Sequence, residues 1–170
     1  MQLIAISGSA RPESSNHKLL RAIAKRKPDW AIGISRLPEK LPLFRAQDDG
    51  NPLPATVIAW RHALAAADGL IISSPEYAHN LPAVLKNALE WLVSSGELAA
   101  KPVLPIILTP HAPRGEKAMQ SLCWTLASMN ARILVQLPLY QDQIQWDEDG
   151  QMQNGESLDM LDAALDLFSV

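Results

Sequence analysis

The sequence predicts an α/β fold, a three-layer sandwich in which a parallel sheet carries helices on both faces. Short apolar runs of strand length alternate with segments of helical periodicity along the whole chain. The strand runs are apolar enough to be covered on both sides, as the strands of parallel sheets are. The segments that follow the first, third and fourth strands are rich in polar side chains, proline and glycine. They fall at the carboxyl ends of strands, where open α/β sheets take their ligands.

Leu3 to Ile6 reads as the first strand, ending at Ser7-Gly8-Ser9. Asn16 to Lys25 carries Leu19, Leu20, Ile23 and Ala24 at helical spacing. Trp30, Ile32 and Ile34 alternate with small residues as a half-buried second strand. A proline-rich stretch from Leu37 to Pro54, containing Leu41-Pro42-Leu43-Phe44, reads as an irregular loop. Thr56 to Ala67 is a helix by pattern. Gly69 to Ser73 is the third strand, and Pro82 to Val93 the third helix, with Pro82 suited to a first helical turn. Val103 to Leu108 is the fourth strand despite Pro105. Glu116 to Met129 is the fourth helix, Ile133 to Leu137 the fifth strand, and Glu156 to Phe168 a closing amphipathic helix. Five strands favour the flavodoxin-like order 2-1-3-4-5 over the six-stranded dinucleotide fold.

At 170 residues the chain is read as one domain over 1–170. Lysine and arginine number 15 against 18 aspartate and glutamate, a net charge of −3, with no basic block, so no nucleic-acid partner is expected. No apolar run reaches the length of a membrane span, and Met1 to Ile6 lacks a basic region and cleavage site. One cysteine, Cys123, allows no internal disulfide and no Cys pair for zinc or redox exchange. The expectation is a soluble cytoplasmic protein.

The first loop, Ser7 to Asn16, offers hydroxyls, a side-chain amide and the Arg11 guanidinium, and then opens into a helix. A helix amino end has unpaired N–H groups and a positive dipole end, which suits phosphate. The alternative is that Ser15 or Asn16 simply caps the helix. Gly8 stands alone, so the loop is neither a P-loop nor G-x-G-x-x-G. The second loop, Ser74 to Leu81, sets Glu76, Tyr77 and His79 on one turn between Pro75 and Pro82. Tyr77 is placed for a planar ligand to rest against it. Glu76 either faces the crevice or orients the loop by accepting backbone N–H bonds. The third loop, Thr109 to Gly115, is stiffened by two prolines and can meet a flat heterocycle through main-chain groups. His79 and His111 lie on different loops without ligand spacing, so no metal site is expected. Neither Ser7 nor Ser9 sits in G-x-S-x-G, which removes a serine hydrolase. Cys123 falls within the fourth helix and reads as a small buried residue.

Together these residues resemble the NADPH-dependent FMN reductase family, flavodoxin-like proteins that include quinone, azo-dye and chromate reductases. The family's first loop reads G-S-x-R-x-x-S-x-N-x-x-L, matched by Gly8, Ser9, Arg11, Ser15 (shifted by one from some members), Asn16 and Leu19. Its second motif is met by Pro75, Glu76, Tyr77, Pro82, Leu85, Lys86, Asn87, Ala88 and Trp91, with Glu90 for the usual Asp. Leu41 to Phe44 and Asp147 to Gly150 are similar to further family stretches. The resemblance implies that Ser9, Arg11, Ser15 and Asn16 hold the FMN phosphate. It implies that Pro75, Glu76, Tyr77 and Ala78 line the flavin and ribityl chain, and that Thr109 to Arg114, His111 included, edge the ring.

Many members carry Asn at Ala78, Gly-Ser at His79-Asn80 and Gly at Ala83, so the acceptor side departs from the family. The implied activity is hydride transfer from NADPH or NADH through FMN to a small-molecule acceptor. Tyr77, His79 and Asn80 would shape the acceptor pocket, and no side chain is assigned a catalytic role. A homodimer or homotetramer is implied, with the Trp91 helix as a contact face. A flavodoxin-type electron carrier is the alternative, opposed by the modest charge. A flavin-free interaction module comes third.

Overall fold

The computed structural model describes residues 1–50 and 52–169; Asn51, inside the proline-rich stretch, and Val170 lie outside the described residues. Its strands are β1 (Gln2–Ser7), β2 (Ala31–Ser35), β3 (Gly69–Ser74), β4 (Pro102–Thr109), β5 (Arg132–Ile133) and β6 (Leu137–Tyr140). They form one sheet in the order β2-β1-β3-β4-β5, with β6 also paired to β4, and every pairing is parallel. The helices are α1 (Ser15–Arg26), α2 (Ala55–Ala66), α3 (Ala83–Glu90), α4 (Glu116–Ser128) and α5 (Glu156–Asp166). This is the flavodoxin-like order expected from the sequence.

One strand differs. Ile133 to Leu137 was expected as a continuous fifth strand, but that lane is split into β5 and β6, and Leu134 to Gln136 lie outside both. Pro105 supplies the physical reason. The Val103 carbonyl accepts from the Leu134 N–H at 2.9 Å, so the odd residues of β4 turn their backbone groups toward this lane. Pro105 has no N–H to give there. The lane pairs again at Ile106 and runs to Tyr140, three residues beyond the expected end.

Alternation along the strands feeds two cores. Ile6, Leu70, Ile72, Val103 and Ile107 face α2, α3 and α4. Leu3, Ala5, Ile71, Leu104 and Ile106 face α1 and α5 on the other side. The third helix is shorter than the pattern suggests, ending at Glu90 rather than Val93, with Pro82 in the cap position.

The helix carrying Trp91 was expected to offer a contact face between copies; Trp91 itself is fully buried and is not part of an exposed face. Its indole N–H donates to the Pro42 carbonyl at 2.9 Å, and its ring meets Phe44 edge-on at 5.0 Å. The Asn87 amide also donates to Pro42 and accepts from the Phe44 N–H. The helical half of the second motif therefore latches the Leu41 to Phe44 loop. Among the described residues no helix is long and apolar enough to cross a membrane.

Candidate active site

Because all strands run the same way, the loops after β1, β3, β4 and β6 emerge at one edge of the sheet. They enclose a cavity of about 290 Å³. The first loop contributes Ser9, Arg11, Ser14, Ser15 and Asn16; the second Pro75, Glu76 and Tyr77; the third Thr109, Pro110 and Arg114. Gln141, after β6, closes the side. A groove of about 720 Å³ lies elsewhere, between α4 and the β6 edge. It is larger, and mixes Met119, Cys123 and Trp124 with Glu116, Gln120, Gln136 and Tyr140, but of the three predicted loops only the last residue of the third, Gly115, reaches it.

Ser14 caps α1, in place of the expected Ser15 or Asn16: its hydroxyl accepts from the His17 N–H at 3.2 Å. That frees the other two. The Ser15 hydroxyl donates to Gln141 Oε1 at 2.8 Å, and the buried Asn16 Oδ1 accepts from the Ser73 hydroxyl at 2.8 Å. Among the described residues, the backbone N–H groups of Ser15 and Asn16 have no protein acceptor. They stand at the positive end of α1 beside the cavity. Gly8 lets the loop lie against β3: its N–H donates to the Ser73 carbonyl at 2.8 Å, and a Cβ there would fall 2.2 Å from Ser74 Oγ. Behind the loop, burial pushes the His17 pKa down from 6.5, opposed by Glu39 4.0 Å away.

The second loop is a two-residue hairpin. Tyr77 and Asn80 exchange backbone hydrogen bonds at 3.0 and 2.9 Å. Ala78 (φ 49°) and His79 (φ 58°) both sit in the left-handed region, as in a type I′ turn. Tyr77 is exposed and forms part of the cavity wall, whereas Ala78, His79 and Asn80 lie outside the lining. Asn80 Oδ1 instead accepts from Ser121 Oγ at 2.7 Å and the Leu81 N–H at 2.8 Å. Glu76 lines the cavity while its Oε2 accepts from the Ala118 N–H at 3.1 Å. Its Oε1 is 3.5 Å from His79 Nδ1.

In the third loop, the Thr109 hydroxyl donates to the Arg114 carbonyl at 3.0 Å, and His111 is exposed outside the lining. Sequence reasoning missed Gln141 and Ser14, although the first-loop motif counted from Gly8 places its second serine at Ser14 without any shift. Gln141 becomes legible once the last strand is carried to Tyr140, because strand ends on this side of the sheet mark the crevice. Among the described residues no group of three His, Cys, Asp or Glu side chains is placed to hold a metal ion.

The parallel order with a crevice at its carboxyl edge defines a flavodoxin-like protein. Comparison with known proteins narrows this. The chain belongs to the NADPH-dependent FMN reductase family, whose model matches residues 1–141. It is 37% identical over 111 residues to the quinone reductase of Escherichia coli (strain K12), covering 61% of this chain and 57% of that protein. It is 28% identical over 134 residues to the NADPH azoreductase of Bacillus sp. (strain OY1-2), covering 79% and 73%. The chain thus spans little more than half the length of the quinone reductases it matches. Among solved structures, FerB, a flavoenzyme NAD(P)H:(acceptor) oxidoreductase of Paracoccus denitrificans, superposes with a TM-score of 0.84 at 20% identity. That match covers 99% of this chain and 97% of FerB, a likeness of fold.

Proposed function

We propose that the protein is an FMN-containing oxidoreductase that passes hydride from NADPH or NADH to a small acceptor such as a flavin, quinone, azo compound or metal oxyanion. The observation that carries this reading is the convergence on one cavity of two free N–H groups at the start of α1, the Ser9 hydroxyl and the Arg11 guanidinium. Such a donor set fits a phosphate monoester. Gly8 brings the loop close enough to β3 for the same ligand to reach the wall formed by Pro75 and Tyr77. FMN, when bound, supplies the hydride chemistry.

The protein's own residues hold and shield. Ser9, Arg11, Ser15 and Asn16 would hold the phosphate, Ser15 and Asn16 through their backbone N–H groups, while the Ser15 hydroxyl is tied to Gln141. Tyr77 would cover apolar ring surface at the rim, and the third loop, fixed by the Thr109 bond to the Arg114 carbonyl, would offer its main-chain groups to the ring. Ala78, His79 and Asn80 stand outside the cavity, where they would meet the acceptor rather than the cofactor. The same reading takes the chain as one domain acting as a homodimer or homotetramer in the cytoplasm. The experiment is anaerobic mixing of FMN-loaded protein with NADPH, followed at the flavin absorption band. Bleaching without any separate reductase supports an oxidoreductase. Loaded protein that stays yellow, yet reduces when a separate reductase is added, makes it a carrier.

A further inference from the structure

We propose that Glu76 is a positioning residue, which fixes the Tyr77 hairpin to the amino end of α4 instead of binding the ligand. What the hairpin faces rests on the FMN reading above; the tie to α4 does not. α4 begins after Gly115, which has no side chain to cap it, leaving first-turn N–H groups without an internal partner. Glu76 Oε2 takes one of them, the N–H of Ala118, at 3.1 Å. A carboxylate at that place also meets the positive end of the helix dipole. The Glu76 side chain is only 8% exposed.

A second tie lies one turn further along. Asn80 Oδ1 accepts from Ser121 Oγ at 2.7 Å, and Ala118 and Ser121, three residues apart, share a face of α4. The hairpin is therefore pinned at both of its ends. Between the pins lie Ala78 and His79, each in a left-handed conformation that a non-glycine residue adopts at a cost. Released from α4, this turn would be held only by its own Tyr77–Asn80 backbone pair against the cost of those angles, and Tyr77 would lose its fixed place on the cavity wall.

Glu76→Gln keeps an oxygen to accept from Ala118 but removes the charge; Glu76→Ala removes both. Two readouts separate the cases: FMN affinity by fluorescence titration, and hydrogen exchange of 76–81 and 116–121 in flavin-free protein. The expected result is faster exchange and roughly 10-fold weaker FMN binding in Glu76→Ala, the scale of a lost helix cap. Glu76→Gln should stay within about 3-fold of the parent, because the acceptor remains. Ser121→Ala, which touches neither the cavity nor the core, should loosen the hairpin in the same direction by about 3-fold. Glu76→Gln binding as weakly as Glu76→Ala would overturn the proposal, since the charge itself would then meet the ligand. So would exchange unchanged in both Glu76→Ala and Ser121→Ala. If the parent protein binds no FMN, the cofactor reading fails, and exchange alone decides the tie: faster in Glu76→Ala upholds it, unchanged overturns it.

Discussion

The first and second loops reach one cavity from neighbouring strands, yet they are held in opposite ways. The first is shaped by close packing. Gly8 presses on Ser74, the Ser7 hydroxyl accepts from the Ser9 N–H at 3.0 Å, and Ser14 caps the helix that follows. The second is shaped by tethers. Its turn residues are exposed and carry unfavourable backbone angles, and beyond the Tyr77–Asn80 backbone pair it is held by bonds to α4 on the far side. A packed loop has no room for change, whereas a tethered one tolerates new side chains at its tip. Three of the departures from the family pattern, Ala78, His79 and Asn80, fall in this turn, and Ala83 and Glu90 lie in the helix that follows.

The largest effect that would break this comparison comes from Gly8→Ala. The added Cβ meets Ser74 Oγ at 2.2 Å and Ser74 Cβ at 2.7 Å, so either β3 or the loop must move. The expected loss is about 3 kcal/mol in denaturant unfolding, at the upper end for overpacking, together with lost FMN binding. A variant as stable as the parent would mean the first loop is not set by packing. Next is Arg11→Ala, which leaves the fold alone and removes a cation from the phosphate end of the cavity. FMN affinity should fall by ~10- to 100-fold, as for a lost charge-assisted hydrogen bond, with Tm unchanged. Equal affinity in a titration would take Arg11 out of the site.

The tethered loop should respond the other way. Ala78→Asn with His79→Gly supplies the residues a type I′ turn prefers. Stability should rise by about 1 kcal/mol, read as a higher denaturant midpoint, while FMN affinity is kept. Acceptor preference should shift, because the tip has changed. A less stable double variant would show that the turn gains something from Ala78 and His79 that its backbone angles do not reveal.

The smallest effect concerns His17 behind the first loop. Burial lowers its folded pKa below 6.5, so the unfolded chain takes up a proton first as pH falls. Its contribution to stability is therefore complete above about pH 6.5 and declines as pH drops from there toward the folded pKa. Thermal melts between pH 7.5 and about 5 should show a shallower decline for His17→Gln than for the parent. Parallel curves would argue that His17 titrates alike in both states.

Much of this was legible in the sequence because it is local. The alternation of apolar runs, the polar composition at three strand ends and the Pro75-Glu76-Tyr77 segment are each written in consecutive residues. What escaped depends on pairing between distant parts. The split of the last lane follows from Pro105, 28 residues before Ile133, and only the sheet brings them together. Gln141 was hidden for the same reason, since its place depends on where β6 ends. Glu76 was read as either facing the crevice or orienting its loop, and it does both: it lines the cavity and bonds Ala118. Ser14 beat Ser15 to the cap by one residue; periodicity does not resolve that, but the spacing of the first-loop motif from Gly8 falls on Ser14.

The comparison of the loops matters only if they enclose one ligand. The most direct measurement is an equilibrium titration of flavin-free protein with FMN, set beside riboflavin, which lacks the phosphate. Saturable binding of FMN, with riboflavin at least about 10-fold weaker, is the predicted result, since the phosphate contacts are charge-assisted. Equal affinity for the two, or no binding of either, would contradict a phosphate-binding first loop and with it the cradle of three loops.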